Sequence, residues 1–464
     1  MKKIRILFKI AFLFISLFGQ KILCQSELKI TSDHHYLSYK NGDPFIWLGD
    51  TAWELFHRLK LEEIETYLEN RKQKGFNVVQ AVILPEMDGL RVPNRYGDVP
   101  LIDMDPTKPN EKYFQFVDTV VKLAAKKGIF MGLLPTWGDK VTQLWGEGPV
   151  VFNPENAYKY GKWIGERYKS YKNIIWILGG DRPPMKDSAD WRPVWRNMAK
   201  GIEKATNHSA LISYHIWGGE MSTSQYIHSE KWLDINMMQS GHGSGKDVPV
   251  WEWIKRDYCM KPTKPTLDSE PNYEDHPVNP WPSWNPENGY FRDYDVRKQT
   301  YRSVFAGACG VTYGNHSIWQ FRNERDPNIN FAERYWTEAL DRPGAFQVGY
   351  LKKLIESRPS SSRIPDQSII LEGQGEKEEY ICAFRNRSND YAMIYIPVGK
   401  TITIKTSFIK TKKLKISWFN PQTCETIQSI ETINTGKMCV TTPTTGFGKD
   451  WVLIVEKDLV NTAK

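Results

Sequence analysis

The sequence predicts an α/β fold, a (β/α)8 TIM barrel followed by a C-terminal antiparallel β-sandwich. Short apolar runs alternate with helical stretches from Phe45 to about Arg358, and eight such runs can be counted. Repeated strand–helix units argue for a parallel sheet or barrel, and no G-x-G-x-x-G opens a helix as a dinucleotide-binding sheet would require. From about Ser360 the pattern turns to period-2 segments between turn residues, without a convincing helix, which reads as a small sandwich.

A leader precedes the barrel. Lys2, Lys3, Arg5 and Lys9 stand before the apolar stretch Ile10 to Phe18, which is too short to span a bilayer and reads as a secretory signal over residues 1–24. The mature chain is expected to begin near Gln25 and to be secreted or periplasmic. Lys21-Ile22-Leu23 lacks the small residues that a lipoprotein signal places before its cysteine, so lipid anchoring at Cys24 and peripheral association with the cell surface form the lesser alternative. Loss of the leader, with Lys2, Lys3, Arg5, Lys9 and Lys21, takes the formal charge from +8 to +3. A near-neutral chain lacks the clustered Lys/Arg of a nucleic-acid binder.

The barrel domain is expected over 25–358, with a short N-terminal β segment. Its strands are Pro44 to Asp50, Asn77 to Ile83, Ile129 to Pro135, Ile174 to Asp181, Ala210 to Tyr214, Asp234 to Gln239, Pro265 to Glu270 and Gly310 to Gly314. Helical stretches at Leu61 to Gly75, Tyr113 to Gly128 and Asn156 to Tyr171 separate the first four. Ser357-Arg358-Pro359-Ser360-Ser361-Ser362 is the natural boundary, and 360–464 the accessory sandwich, with strands around Tyr380 to Phe384, Tyr391 to Ile396 and Trp451 to Val455. The leader aside, Cys259, Cys309, Cys382, Cys424 and Cys439 form no C-x-x-C pair and no zinc spacing. An odd number cannot all pair, and Cys424 with Cys439 is the expected bridge if one forms.

Two carboxylates stand just after buried-looking strands: Asp181 after Ile174-Ile175-Trp176-Ile177-Leu178-Gly179-Gly180, and Glu270 after Pro265-Thr266-Leu267-Asp268-Ser269. A (β/α)8 barrel keeps its chemistry at these C-terminal strand ends, and strands four and seven face each other across the mouth. Singly, Asp181 reads equally as a helix cap and Glu270 as an ion-pair partner of Arg182. As a pair they suit acetal hydrolysis, which needs one protonated carboxyl to assist the leaving group and one ionised carboxylate to attack carbon or activate water. Trp53, Trp137 and Trp217 follow other strands, and aromatic faces stack on the C–H faces of sugars. Most of the eighteen tryptophans are nevertheless expected in the core.

The stretches Trp47-Leu48-Gly49-Asp50-Thr51-Ala52-Trp53, Gly75-Phe76-Asn77-Val78-Val79-Gln80, Trp176-Ile177-Leu178-Gly179-Gly180-Asp181 and Ser269-Glu270-Pro271-Asn272-Tyr273-Glu274 resemble glycoside hydrolase family 140, the apiosidase-like secreted enzymes of Bacteroidetes. The tail resembles that family's collagen-binding-type sandwich. The resemblance implies a catalytic barrel with an aspartate acid/base after strand four, here Asp181, and a glutamate nucleophile after strand seven, here Glu270. Related barrel glycosidases commonly carry Asn-Glu where this chain has Gly180-Asp181, so the sugar 2-hydroxyl needs another partner. Asp50, Gln80, His215, Gln239 and His242 are candidates on neighbouring strand ends, beside Trp53 and Trp137.

The resemblance also implies a substrate, the apiose linkage in side chains of the pectic polysaccharide rhamnogalacturonan II, cut with retention of configuration. Residues alone reach only a glycosidase, and the alternatives are another plant furanoside or pyranoside, or a non-catalytic protein that grips glycan or matrix through the sandwich. A cleft lined by Arg91, Arg95, Lys140 and Arg182 would suit an acidic pectic partner. No metal or other cofactor is expected, and the acidic cluster Asp98, Asp103, Asp105 reads as a solvated loop before it reads as a calcium site.

Overall fold

The structure, a computed structural model, describes residues 27–219, 222–243, 245–278, 284–360 and 362–458. The leader expected at 1–24, with Cys24, lies outside the described residues.

Eight parallel strands form the central sheet: β1 (Trp47–Thr51), β2 (Val78–Val82), β3 (Phe130–Leu134), β4 (Ile174–Gly179), β5 (Ile212–His215), β6 (Asn236–Met238), β7 (Thr266–Asp268) and β8 (Gly310–Tyr313). They are hydrogen-bonded in the order β5-β4-β3-β2-β1-β8-β7-β6. Between β5 and β6 the ladder shrinks to the bridge Ser213–Ile235, where the Ser213 hydroxyl donates to the Ile235 carbonyl at 2.7 Å. The result is the expected barrel, nearly closed. Apart from Ile174 at the start of β4, all residues of these strands are buried, which is why they read as continuous apolar runs instead of alternating.

Long helices follow seven of the strands among the described residues: α1 (Leu61–Gln73), α2 (Glu111–Lys127), α3 (Pro154–Tyr168), α4 (Arg192–Thr206), α5 (Val250–Tyr258), α6 (Asp293–Phe305) and α7 (Pro343–Glu356). Strand β5 is followed only by the short helix Ser224–Ile227. Local signals set their ends. The Asn153 side chain accepts from the backbone N–H groups of Glu155 and Asn156 to start α3, and Gly128, at φ 78°, ends α2. Helices α3 and α4 approach closely because Gly161 and Gly201 face each other's backbone: a Cβ on Gly161 would stand 2.3 Å from the Met198 carbonyl oxygen. Beneath the barrel, the antiparallel strands Leu28–Ile30, Leu37–Tyr39 and Pro44–Phe45 close the N-terminal end, with Phe45 edge-on to Phe130 at 5.4 Å.

Among its described residues the tail has nine strands: β9 (Arg363–Pro365), β10 (Ile370–Glu372), β11 (Cys382–Asn386), β12 (Tyr391–Ile396), β13 (Gly399–Lys405), β14 (Lys413–Phe419), β15 (Thr426–Ile433), β16 (Lys437–Gly446) and β17 (Trp451–Lys457). A six-stranded antiparallel sheet, β9-β11-β12-β17-β14-β15, packs on a three-stranded one, β10-β13-β16. Ile394, Ile402, Ile404, Leu414, Trp418 and Leu453 lie in the core between them. The other face of the larger sheet, with Phe384, Met393, Tyr395 and Ile454, is buried against Tyr301, Val304 and Phe305 of α6. The two parts therefore share one apolar core, and a bidentate ion pair crosses it. Arg297 on α6 donates to both oxygens of Asp450 at 2.7 and 2.8 Å, with Tyr395 donating to the same carboxylate.

The expected Cys424–Cys439 bridge does not form: the five described cysteines are free thiols. Cys424 precedes β15 in one sheet and Cys439 sits on β16 in the other, so a shared β-rich stretch of sequence does not make them neighbours. Asp103 and Asp105 share Lys108, each at 3.6 Å.

Candidate active site

The strand ends open into a cleft of about 950 Å³ lined by Asp181 and Glu270, with Glu86, Lys186, Gln239, His242, Tyr273 and His276 around them. Six of the eighteen tryptophans line it as well, Trp53, Trp137, Trp145, Trp217, Trp284 and Trp319.

Asp181 owes its position to the two residues before it. Gly179, Gly180 and Asp181 all take positive φ, 88°, 83° and 54°, so the chain leaves β4 through three left-handed residues. A Cβ on Gly179 would stand 2.3 Å from the His215 carbonyl oxygen, and one on Gly180 2.8 Å from the Gly138 nitrogen, so only glycine fits at either position. Asp181 itself keeps a left-handed backbone despite its side chain, a cost that persists only where surroundings over-determine it. Arg182 then folds back: its guanidinium donates to the Asp181 carbonyl at 2.7 Å, to Oδ2 at 3.1 Å and to the Trp145 carbonyl at 2.5 Å, and lies 4.2 Å over the Trp145 ring. The Trp145 indole N–H donates to Asp181 Oδ2 at 2.8 Å.

Glu270 is held from the other side. The loop after β6 is zipped onto the loop after β7, with the Gly241 N–H donating to the Glu270 carbonyl at 2.9 Å and the His242 N–H to Asn272 Oδ1 at 2.7 Å. A Cβ on Gly241 would stand 2.5 Å from the Pro271 carbonyl oxygen, which explains the glycine there. His242, at φ 67°, places Nε2 3.2 Å from Glu270 Oε1. His215, at the end of β5, places Nε2 2.8 Å from Glu270 Oε2 while its Nδ1 accepts the Asp181 backbone N–H at 3.2 Å. Because Nδ1 accepts, the proton of a neutral His215 sits on Nε2, facing Glu270.

These surroundings push the two carboxyls apart. Burial raises Asp181 above its ordinary value, and the charge of Glu270 raises it further, against the opposing Arg182, Trp145 and His215. Burial would raise Glu270 too, but hydrogen bonding from the His215 and His242 imidazoles outweighs it and holds Glu270 at about 2. One acid is thus biased toward its proton and the other kept ionised, the division of labour that glycoside hydrolysis demands.

The remaining expected sugar contacts divide. Trp53 and Trp137 line the cleft, their rings 5.4 Å apart and packed on His215 at 5.2 and 6.0 Å. Gln239 and His242 line it as well, and the Gln239 side-chain oxygen has no partner among the described residues. His215 is fully buried and contacts the Glu270 carboxylate and the Asp181 backbone instead. Asp50 and Gln80 do not reach the cleft. Asp50 is buried against α1, with Arg71 Nε at 3.0 Å and the Tyr67 hydroxyl at 2.7 Å, and Gln80 is tied inside the barrel to the Ser269 carbonyl and Thr312. Nor do Arg91, Arg95, Lys140 and Arg182 form a free basic lining. Arg182 is committed to Asp181, Lys140 is buried on Asp139, Arg95 pairs with Asp326 and Arg91 with Asp88. Among the described residues the Lys or Arg that lines the cleft is Lys186, in the hairpin Met185–Lys186 with Ala189–Asp190, its ammonium 5.3 Å over the Trp217 ring. Trp217 in turn stacks on Trp145 at 5.7 Å.

A nearly closed (β/α)8 barrel with two oppositely tuned carboxylates in an aromatic cleft defines a glycoside hydrolase. Comparison with known proteins narrows the class. A model of the apiosidase-like catalytic domain matches residues 31–362, and a second, described as "Putative collagen-binding domain of a collagenase", matches 364–456. The chain belongs to the apiosidase-like family. No curated protein matches it significantly. Among solved structures, one described as a glycoside hydrolase is 33% identical, with 94% of this chain and 97% of that one covered and a TM-score of 0.84. Another, described as a family 5 glycoside hydrolase from Bacteroides vulgatus, is 31% identical over 93% of each chain, with a TM-score of 0.85.

Proposed function

We propose that this glycoside hydrolase is an apiosidase that cuts the apiose linkage in side chains of rhamnogalacturonan II. Asp181 acts as acid and then base, Glu270 acts as nucleophile, and configuration is retained. The observation that carries the division of roles is the opposite tuning of the two carboxylates, Asp181 raised and Glu270 held at about 2. The family match supports the sugar.

In the first step the ionised Glu270 attacks the anomeric carbon while Asp181 gives its proton to the departing oxygen. As the ester forms, Glu270 loses its negative charge, and with it the field that raised Asp181. Asp181, having given up its proton, then stays ionised and is free to take a proton from the water that cleaves the ester. Trp145 and Trp217, next to Asp181, offer a stacked face on the side where the leaving group departs, and Trp53 and Trp137 enclose the nucleophile's histidine. The enzyme works after export, in the periplasm or outside the cell, a reading supported by the leader. Digestion of purified rhamnogalacturonan II with product analysis tests the substrate: free apiose-terminated oligosaccharide is expected, and an unchanged polysaccharide beside activity on another plant glycoside would replace apiose by that sugar.

A further inference from the structure

We propose that Glu86 is a third carboxyl in the cleft that binds a hydroxyl of the sugar whose glycosidic bond is cut. The inference rests on the glycosidase reading above but not on the identity of the sugar.

Glu86 follows β2, in Ile83-Leu84-Pro85-Glu86-Met87-Asp88-Gly89, and its side chain lines the same cleft as Asp181 and Glu270. The segment is anchored where the Trp137 N–H donates to the Leu84 carbonyl at 3.0 Å. It then turns sharply, with the Gly89 N–H donating to the Glu86 carbonyl at 2.7 Å and both central residues, Met87 at φ 42° and Asp88 at φ 59°, left-handed. Two non-glycine residues in that region are costly, and a methionine especially so. The turn leaves Glu86 on the loop after β2, flanked in the barrel order by the loop after β1, which carries Trp53, and the loop after β3, which carries Trp137, and the charges that reach it are those of Glu54, Asp139, Asp181 and Arg182.

Among the described residues no hydrogen bond or ion pair engages the Glu86 carboxyl, in a protein where the neighbouring acids are all engaged. Glu54 is paired with His57 and Arg58, Asp139 with Lys140, and Asp181 with Arg182. A half-buried polar group without a protein partner at a ligand site is placed for the ligand. Its surroundings also say in which form it binds. Burial, then the charges of Glu54, Asp139 and Asp181, push Glu86 well above the ordinary carboxylate range, with Arg182 the opposing charge. A protonated carboxyl presents one donor and one acceptor side by side, as a sugar hydroxyl does.

Glu86→Ala and Glu86→Gln test this on an aryl glycoside, whose leaving group has no sugar hydroxyls to contact. The panel comprises the 4-nitrophenyl β-D-apiofuranoside, α-L-arabinofuranoside, β-D-xylopyranoside and β-D-glucopyranoside, and the variants are compared on the member that the wild type hydrolyses. Wild-type activity on a sugar other than apiose retires the apiosidase reading and leaves this comparison intact. Glu86→Ala is expected to lose about ten- to a hundredfold in kcat/KM, as a lost contact to a buried hydroxyl does. Glu86→Gln, which also donates and accepts, is expected to regain most of that loss. Carbon-13 NMR of labelled glutamate carboxyls should show two groups titrating above the ordinary range, Glu274 and a second that vanishes in Glu86→Gln, a readout independent of turnover and of how well Glu86→Ala folds. A folded Glu86→Ala enzyme with wild-type kcat/KM, a Glu86→Gln enzyme as impaired as Glu86→Ala, or no such carboxyl would overturn the proposal.

Discussion

Nε2 of His215 stands 2.8 Å from Oε2 of Glu270, and the same imidazole accepts the backbone N–H of Asp181 through Nδ1. One buried side chain thus ties the end of β4 to the carboxylate after β7. It also supplies part of the hydrogen bonding that overcomes burial and keeps Glu270 ionised at about 2. Replacing His215 by Ala leaves burial less opposed, so the Glu270 carboxyl must rise. The proposed mechanism needs it ionised, and the acidic limb of the kcat/KM profile should therefore move to higher pH. A variant whose acidic limb coincides with the wild type's would show that His215 does not govern Glu270.

In the proposed mechanism Asp181 must start protonated, which assigns the alkaline limb to it. The Trp145 indole N–H favours the ionised form by donating to Oδ2. Trp145→Phe removes that donor and keeps a ring beneath Arg182, so Asp181 should hold its proton longer and the alkaline limb should shift upward. A downward shift would mean that loss of packing, not of the hydrogen bond, dominates.

Asp181→Asn separates acid catalysis from nucleophilic attack. With a sugar leaving group the glycosylation step should slow by about 10²–10⁴-fold. With an activated aryl group, which departs without protonation, the same step should slow much less. Equal losses on both substrate types, measured in the pre-steady-state burst, would contradict the acid role.

Much of this was legible in the sequence because barrel strands buried on both faces announce themselves as unbroken apolar runs, and an acid directly after such a run falls at the mouth. Asp181 and Glu270 were found that way. Asp50 and Gln80 sit at equally good strand ends and were misplaced because neighbouring positions on a strand point to opposite sides. Asp50 turns outward to Tyr67 and Arg71 of α1, and Gln80 stays inside the barrel below the cleft. Trp145, Lys186 and Glu86 lie on excursions between elements, where no periodicity records which loop returns over the mouth. The Gly179-Gly180 pair was the one local signal with more to give: two glycines before a strand-end acid mark a left-handed exit, not merely a cap.

That exit is also a stability feature. Gly179→Ala must strain a φ of 88° and drive a Cβ into the His215 carbonyl oxygen, so unfolding free energy should fall by about 2 kcal/mol or more, with loss of activity as His215 is displaced. Denaturant unfolding of the purified variant checks this, and wild-type stability would show that the local backbone relaxes freely.

The sandwich should be an integral part of the fold. Asp450→Ala strips the buried Arg297 guanidinium of its bidentate partner and leaves it Asp293 at 3.1 Å and the Gln347 amide oxygen at 2.6 Å, so the loss of stability should not exceed the ~3–5 kcal/mol of a buried charge left wholly unpaired. Deleting residues 360–464 uncovers Tyr301, Val304 and Phe305 on α6 and should lower the melting temperature and solubility. A truncated barrel as stable as the full chain would refute a shared core.

The central claim is that Glu270 forms the glycosyl ester and Asp181 serves it as acid and base. It is tested most directly by azide rescue of Glu270→Ala and Asp181→Ala on the aryl glycoside that the wild type hydrolyses, with the anomeric configuration of each glycosyl azide read by NMR. In Asp181→Ala, azide should intercept the glycosyl ester and give product of retained configuration. In Glu270→Ala it should occupy the vacated nucleophile's place and give the inverted azide. Inverted azide from Asp181→Ala, or near-normal hydrolysis by Glu270→Ala without azide, would contradict the assignment.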